Sequence, residues 1–233
     1  MTQPPSEFLY AANQNGITAF PLNASTGGLG AGSLATSVLA ASGVLANMVS
    51  DSAGKFLFAC SLYSSSTEAF SINSKSGALT PISGSTLPIP GVGACNLSID
   101  ATGKFLYIAS SAGVSAFTVN ATTGALSAVA GSLFSDGSVL RESVSDPSGK
   151  FLYAISNTTL NTISVFAINS SNGALTPVAG SPFQADRRHR VQPGSPSLRK
   201  IPLRQFPPDR ANRSLECQLL DWRVNHCSRV AIC

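Results

Sequence analysis

Four copies of one strand limit what this chain can fold into. Phe-Leu-Tyr at 8–10, Gly-Lys-Phe-Leu-Phe at 54–58, and Gly-Lys-Phe-Leu-Tyr at 103–107 and 149–153 place Phe8, Phe56, Phe105 and Phe151 at intervals of 48, 49 and 46 residues. A period in this range belongs to architectures whose units pack on their neighbours, not to a fold built around one central core.

A second strand follows in each copy at constant register: Ile17–Asn23, Thr67–Asn73, Val114–Asn120 and Ile163–Asn169, each carrying a Phe at its fourth position. Apolar and small residues alternate there as a strand requires. Each runs into Asn-x-x-x-Gly-[Gly/Ala]-Leu, beginning at Asn23, Asn73, Asn120 and Asn169. The Asn amide can bond to nearby backbone and the Gly can take positive φ, which is hairpin chemistry. Asp51, Asp100 and Asp146 open Asp-x-x-Gly-Lys segments just before the Phe-Leu-Tyr strand, and these imply another hairpin. Repetition explains the three carboxylates as turn residues rather than catalysts. One repeat therefore reads as a four-stranded antiparallel sheet, and such units at this period pack radially as blades of a β-propeller. The expectation is an all-β chain of about four blades over 1–183, with Phe20, Phe70, Phe117 and Phe166 buried at equivalent positions and little helix. The first blade is expected to lack its inner strand.

Residues carrying these signals resemble a known family. Asp146-Pro-Ser-Gly-Lys-Phe-Leu-Tyr-Ala, Ile163-Ser-Val-Phe-Ala-Ile, Asn172-Gly-Ala-Leu-Thr-Pro-Val and Gly180-Ser-Pro-Phe183 are similar to the blade signature of the bacterial lactonases, seven-bladed propellers of 6-phosphogluconolactonase type. The resemblance covers about residues 5–183 and is specific for the blade rather than for an active site. It implies hydrolysis of a sugar lactone. WD40 repeats share the period, but the single tryptophan, Trp222, lies outside the repeats.

Composition changes after Phe183. Residues 1–183 hold five Lys and Arg against seven Asp and Glu, whereas 184–233 hold ten against four, with both histidines and three of the five cysteines. A basic arm for nucleic acid is one reading of such a tail. A coding argument favours another. Codons for Pro-Ser-Gly-Lys-Phe-Leu-Tyr-Ala, displaced by two bases, permit Leu-Arg-Lys-Ile-Pro-Leu-Arg, and that heptapeptide stands at Leu198–Arg204, about one repeat after Phe151. The tail thus reads as a fifth blade translated out of frame, expected to be irregular and to bind no nucleic acid. Four blades of a seven-bladed parent would leave two open flanks, through which the chain could self-associate.

Other function classes are bounded by absence of motif. Met1–Gly16 has no basic region followed by an apolar core, so a cytoplasmic location follows if Met1 is the true start. Gly32–Val49 is uncharged but interrupted by Ser, Thr, Gly and Asn, and no membrane segment is expected. Cys60 and Cys95 are expected as small buried hydrophobes without a disulfide. Cys217, His226, Cys227 and Cys233 match no zinc spacing, so neither metal nor cofactor is expected. No nucleophile elbow or phosphate-binding loop occurs.

Four residues before each turn aspartate, at the entrance to the innermost strand, stand Asn47, Asn96 and Glu142, with Arg141 beside the last. An innermost strand faces the channel of a propeller. Arg141, the single arginine of residues 1–183, is suited to a carboxylate or phosphate, and Glu142 to activating water. These four are the candidate binding residues for a lactone or sugar acid, with Arg141 and Glu142 the catalytic candidates. A non-catalytic binding or scaffold propeller is the alternative, favoured by the lack of histidine in the blade region. Translation of the downstream nucleotides in the shifted frame is expected to yield a Gly-Lys-Phe-Leu-Tyr-like segment; its absence would remove the frameshift reading.

Overall fold

The computed structural model describes residues 7–13, 16–35, 45–61, 65–91, 95–156 and 162–184. The chain divides into a unit of residues 1–185 and a second of 186–233. The second lies wholly outside the described residues, and with it fall the basic tail, its cysteines and the shifted-frame segment.

Four antiparallel sheets follow one another along the chain. Strands β1 (Glu7–Asn13), β2 (Gly16–Leu22) and β3 (Ser33–Ala35) form the first. The second holds β4 (Leu45–Ser50), β5 (Phe56–Ser61), β6 (Ser66–Ile72), β7 (Leu79–Pro81) and β8 (Leu87–Pro88). The third holds β9 (Asn96–Ile99), β10 (Phe105–Ser110), β11 (Gly113–Val119) and β12 (Leu126–Ala128). The fourth holds β13 (Glu142–Ser145), β14 (Phe151–Ile155), β15 (Thr162–Ile168), β16 (Leu175–Pro177) and β17 (Phe183–Gln184). These are propeller blades, with β4, β9 and β13 innermost. The first sheet starts at the Phe-Leu-Tyr strand, so no described strand pairs the free edge of β1. No helix among the described residues is long and apolar enough to cross a membrane.

The turns form as their side chains dictate. Asp51 and Asp100 each accept the backbone N–H groups four and five residues on, from Lys55 and Phe56 and from Lys104 and Phe105, at 2.7–2.8 Å. Asn23, Asn73 and Asn120 accept two N–H groups apiece in their own turns, and the following Gly27, Gly77 and Gly124 donate to the asparagine carbonyl.

Beyond the predicted four strands, the outer edge of a blade is split. After β7 the chain turns and β8 continues along β6; β17 does the same on β15, and a single bridge between Val114 and Phe134 stands in that place in the third sheet. Between the two segments the third strand would be left with an unpaired N–H. A serine hydroxyl fills the gap: Ser85, Ser132 and Ser181 accept from Ala69, Ala116 and Val165 at 2.9–3.0 Å. A buried donor left open there would cost about 1–3 kcal/mol.

Alternation sends each strand's two sets of side chains to opposite neighbours. Phe56, Phe58 and Cys60 pack toward the third blade with Leu106, Ile108 and Phe117, while Leu57, Ala59 and Phe70 pack toward the first with Tyr10 and Ile17. Phe105, Tyr107 and Ala109 meet Leu152, Ala154 and Phe166 of the fourth blade. Phe70, Phe117 and Phe166 are buried as expected, but Phe20 is only half-buried. Its partner across the strand pair is Leu9, so it faces the flank where no described blade precedes it.

The cysteine expectation also needs correction. Cys60 and Cys95 are not free thiols: they form a disulfide with a Cα–Cα distance of 6.2 Å, joining β5 of the second blade to the residue before β9 of the third. Their sequence separation of 35 hid a pairing that becomes local once the blades stack. The turn glycines take positive φ as expected, and their lack of a side chain has a second use. A Cβ on Gly124 would lie 2.5 Å from the Phe56 ring of the preceding blade, and Phe8 and Phe105 crowd Gly77 and Gly173 in the same way. Gly27 has an equivalent φ of +70° and nothing within 4 Å.

This contrast yields a matched test by urea denaturation. Gly27→Ala should cost only the left-handed backbone penalty of about 1–2 kcal/mol. Gly124→Ala should add overpacking of about 1–3 kcal/mol. Equal costs would show that the Phe ring yields freely.

Candidate functional site

Register confirms that the three inner-strand positions are equivalent. Asn47 lies opposite Cys60, Asn96 opposite Ala109 and Glu142 opposite Ile155, which occupy the same place in their respective strands. Their side chains, however, act on the neighbouring blade. The Asn47 Oδ1 accepts the Leu97 N–H at 3.2 Å, and the Asn96 Oδ1 accepts the Ser143 N–H at 2.9 Å. Further along, Ser98 Oγ accepts the Ser145 N–H and the Ser145 hydroxyl donates to the Ile99 carbonyl. Successive inner strands are therefore braced side chain to backbone, a role that leaves each asparagine amide nitrogen for other partners.

Glu142 occupies the bracing position of the fourth blade and is exposed, as is Arg141. Arg141 is anchored by its backbone N–H on the Ile155 carbonyl at 2.9 Å. Together they put a guanidinium and a carboxylate on neighbouring residues at one end of an inner strand. No group of three or more His, Cys, Asp or Glu able to hold a metal occurs among the described residues.

Asp136, which the sequence did not single out, is the one carboxylate among the described residues that its surroundings clearly shift. Burial alone would raise it, but hydrogen bonds outweigh that and hold it below its ordinary value. The Ser138 N–H donates to it at 3.1 Å, the Ser181 hydroxyl of the fourth blade donates at 3.2 Å, and the Ser164 hydroxyl lies nearby. A loop aspartate engaged by Ser181 of the next blade is an anchor between blades, and no periodic signal marks it. The buried phenols are also held protonated. Tyr10 is pushed to about 12 by burial, and Tyr107 is raised further by burial and by Asp100. The shallow depression over the first blade's outer turn, bounded by Pro21, Asn23 and Leu29, contains none of the candidate residues.

With this geometry in view, the comparisons decide the lineage. The family model described as Lactonase, 7-bladed beta-propeller matches residues 45–139 and 86–192 in overlapping placements. The chain belongs to this family. Among solved structures it is similar to a proposed 6-phosphogluconolactonase of Bacteroides fragilis at 23% identity and TM-score 0.61, over 74% of this chain and 51% of that one. It is similar to a second, from Bacteroides uniformis, at 23% identity and TM-score 0.57, over 76% and 54%. The periplasmic gluconolactonase of Pseudomonas aeruginosa matches at 18% identity and TM-score 0.60, over 76% and 52%. At these identities the likeness establishes the fold. The chain spans about half the length of the structures it matches. No curated protein matches it significantly.

Because Asp136 is depressed in the folded state, its contribution is present above the unfolded carboxylate value of about 3.9 and is lost as pH falls through the lower folded value. Asp136→Asn should therefore narrow the stability difference between pH 6 and pH 3, read as denaturation midpoints of variant and parent. An unchanged difference would remove this carboxylate as a source of acid sensitivity.

Proposed function

We propose that the protein is a lactonase-type propeller whose channel end takes a sugar lactone such as 6-phosphogluconolactone, and that the 233-residue chain alone turns it over weakly or not at all. The observation that carries this reading is the family match across the second to fourth blades, with the one Arg–Glu neighbour pair of that region at the entrance to an inner strand. Arg141 is suited to a phosphate or carboxylate on the substrate, or to the oxyanion formed when water adds to the lactone carbonyl. Glu142 would take the proton of that water as its oxygen bonds to the carbonyl carbon. The ring C–O bond then breaks, the alkoxide is reprotonated, and the open-chain sugar acid leaves.

Weak turnover is expected because the chain spans about half the length of the propellers it matches. A channel-end site draws on several blades, and a displacement of about an ångström can cost on the order of a hundredfold. A second reading, a propeller that binds a sugar acid without catalysis, is favoured by the use of Asn47 and Asn96 in bracing the inner strands.

Lactone opening followed by acid release should stay near the buffer rate for the chain as given. Whatever rate exceeds buffer should vanish in Arg141→Ala with Glu142→Ala. Glu142→Gln separates the roles, because an amide can still brace a neighbouring strand but cannot accept a proton from water. Robust turnover insensitive to both changes would overturn the site; calorimetric binding of the sugar acid with no turnover would favour the second reading.

A further inference from the structure

The two flanks of the described blades are complementary. On the fourth blade, Val144 lies opposite Tyr153, Ile155 opposite Ile163 and Ile163 opposite Phe183, so these side chains share one face. That face is open: Val144 is 53% exposed, Tyr153 37% and Ile155 45%. The equivalent Tyr107 and Ala109 of the third blade are fully buried because the fourth blade covers them. Exposed apolar surface of this continuity marks an interaction site.

What covers such a face is shown three times in the same molecule. Three of the four repeated strands lay their first Phe against the turn glycine of the next blade, Phe8 on Gly77, Phe56 on Gly124 and Phe105 on Gly173. The tyrosine hydroxyl of Tyr10 donates to the Gly77 carbonyl at 3.1 Å, and that of Tyr107 to the Gly173 carbonyl at 3.2 Å. Phe151 and Tyr153 are the fourth such pair, and among the described residues no turn follows to receive them.

The vacant receiver is on the first blade. Gly27 has the φ of its counterparts but no ring against it. Leu29 beside it is 51% exposed, whereas the equivalent Leu126 and Leu175 are buried against the preceding blade. Ala11 is exposed where Ala59 and Ala154 are fully buried. The depression bounded by Pro21, Asn23 and Leu29 lies over this turn. Among the described residues both surfaces are left over, one made of knobs and the other of the matching seat.

We infer that the fourth blade docks on the first blade of a second copy of this chain, head to tail, with Phe151 and Tyr153 of one copy seated on the Asn23–Leu29 turn of the other. The contact continues the interface already present between consecutive blades. It is heterologous, so it closes into a ring only if two contacts form at once. Blade number permits that, since two copies with four sheets each bring eight blades, within the roughly four to eight of closed propellers. The inference rests on the fold and on neither substrate nor activity.

The test uses the whole chain and light scattering coupled to size exclusion at micromolar concentration. The wild type should run as a dimer or larger species. Ile155→Asp and Ala11→Glu, both at exposed positions, should each give a monomer with unchanged circular dichroism. Mixing the two variants should restore a dimer, because each keeps the surface the other has lost. Leu29→Asp replaces Ala11→Glu if that variant does not fold. A monomeric wild type, association surviving either substitution, or a mixture that stays monomeric would each overturn the proposal.

Discussion

The seating of an aromatic ring on the next blade's turn glycine is the interaction on which the rest of this structure depends. The same glycine must take positive φ to close its own hairpin and must lack a side chain so that Phe8, Phe56 or Phe105 can approach. Turn geometry and inter-blade packing are thereby fixed by one atom's absence. Burying each ring contributes about 1.5–3 kcal/mol, and the adjoining tyrosine hydroxyl sets its orientation by reaching the glycine carbonyl in two of the three interfaces. A blade cannot be stable alone under these terms, since half of its apolar residues belong to a neighbour's core.

The inner strands obey a second constraint with consequences for chemistry. Asn47 and Asn96 hold the backbone of the following strand, and the serines Ser98 and Ser145 reinforce the third and fourth blades. Side chains at the channel end are thus partly committed to keeping successive blades in register. Function has to be built from what bracing leaves over. At the fourth blade the bracing position carries Glu142, an exposed carboxylate beside Arg141, and this departure from asparagine draws attention to the pair. The disulfide from Cys60 to Cys95 ties the strand beside the second blade's innermost strand, at the register of Asn47, to the start of the third blade's inner strand, so covalent and hydrogen-bonded links reinforce the same junction.

Much of the blade was legible because its signals are local. The Asp-x-x-Gly-Lys and Asn-x-x-x-Gly turns need only bonds within five residues, and the period of the Phe-Leu-Tyr strand is a property of the chain. Less could be read where a residue's partner sits in another blade. Nothing in the spacing of Cys60 and Cys95 distinguishes a disulfide from two buried thiols. Phe20 reads the same as Phe70, Phe117 and Phe166, yet it is half-buried because its face has no described neighbour. The serine that follows Gly84, Gly131 and Gly180 was visible as a recurring letter, but its task appears only when the outer strand is seen to break and Ala69, Ala116 and Val165 need an acceptor.

By itself the sequence determined the fold class, the order of strands and turns, and the lineage, because repetition makes each blade confirm the others. It also placed Asn47, Asn96 and Glu142 at equivalent positions. Only the tertiary structure decided which of those side chains brace a neighbour and which side chains stand exposed on the two flanks. The reason is physical: a hairpin closes on bonds it carries within itself, whereas burial, bracing and docking depend on the surface that the next blade presents.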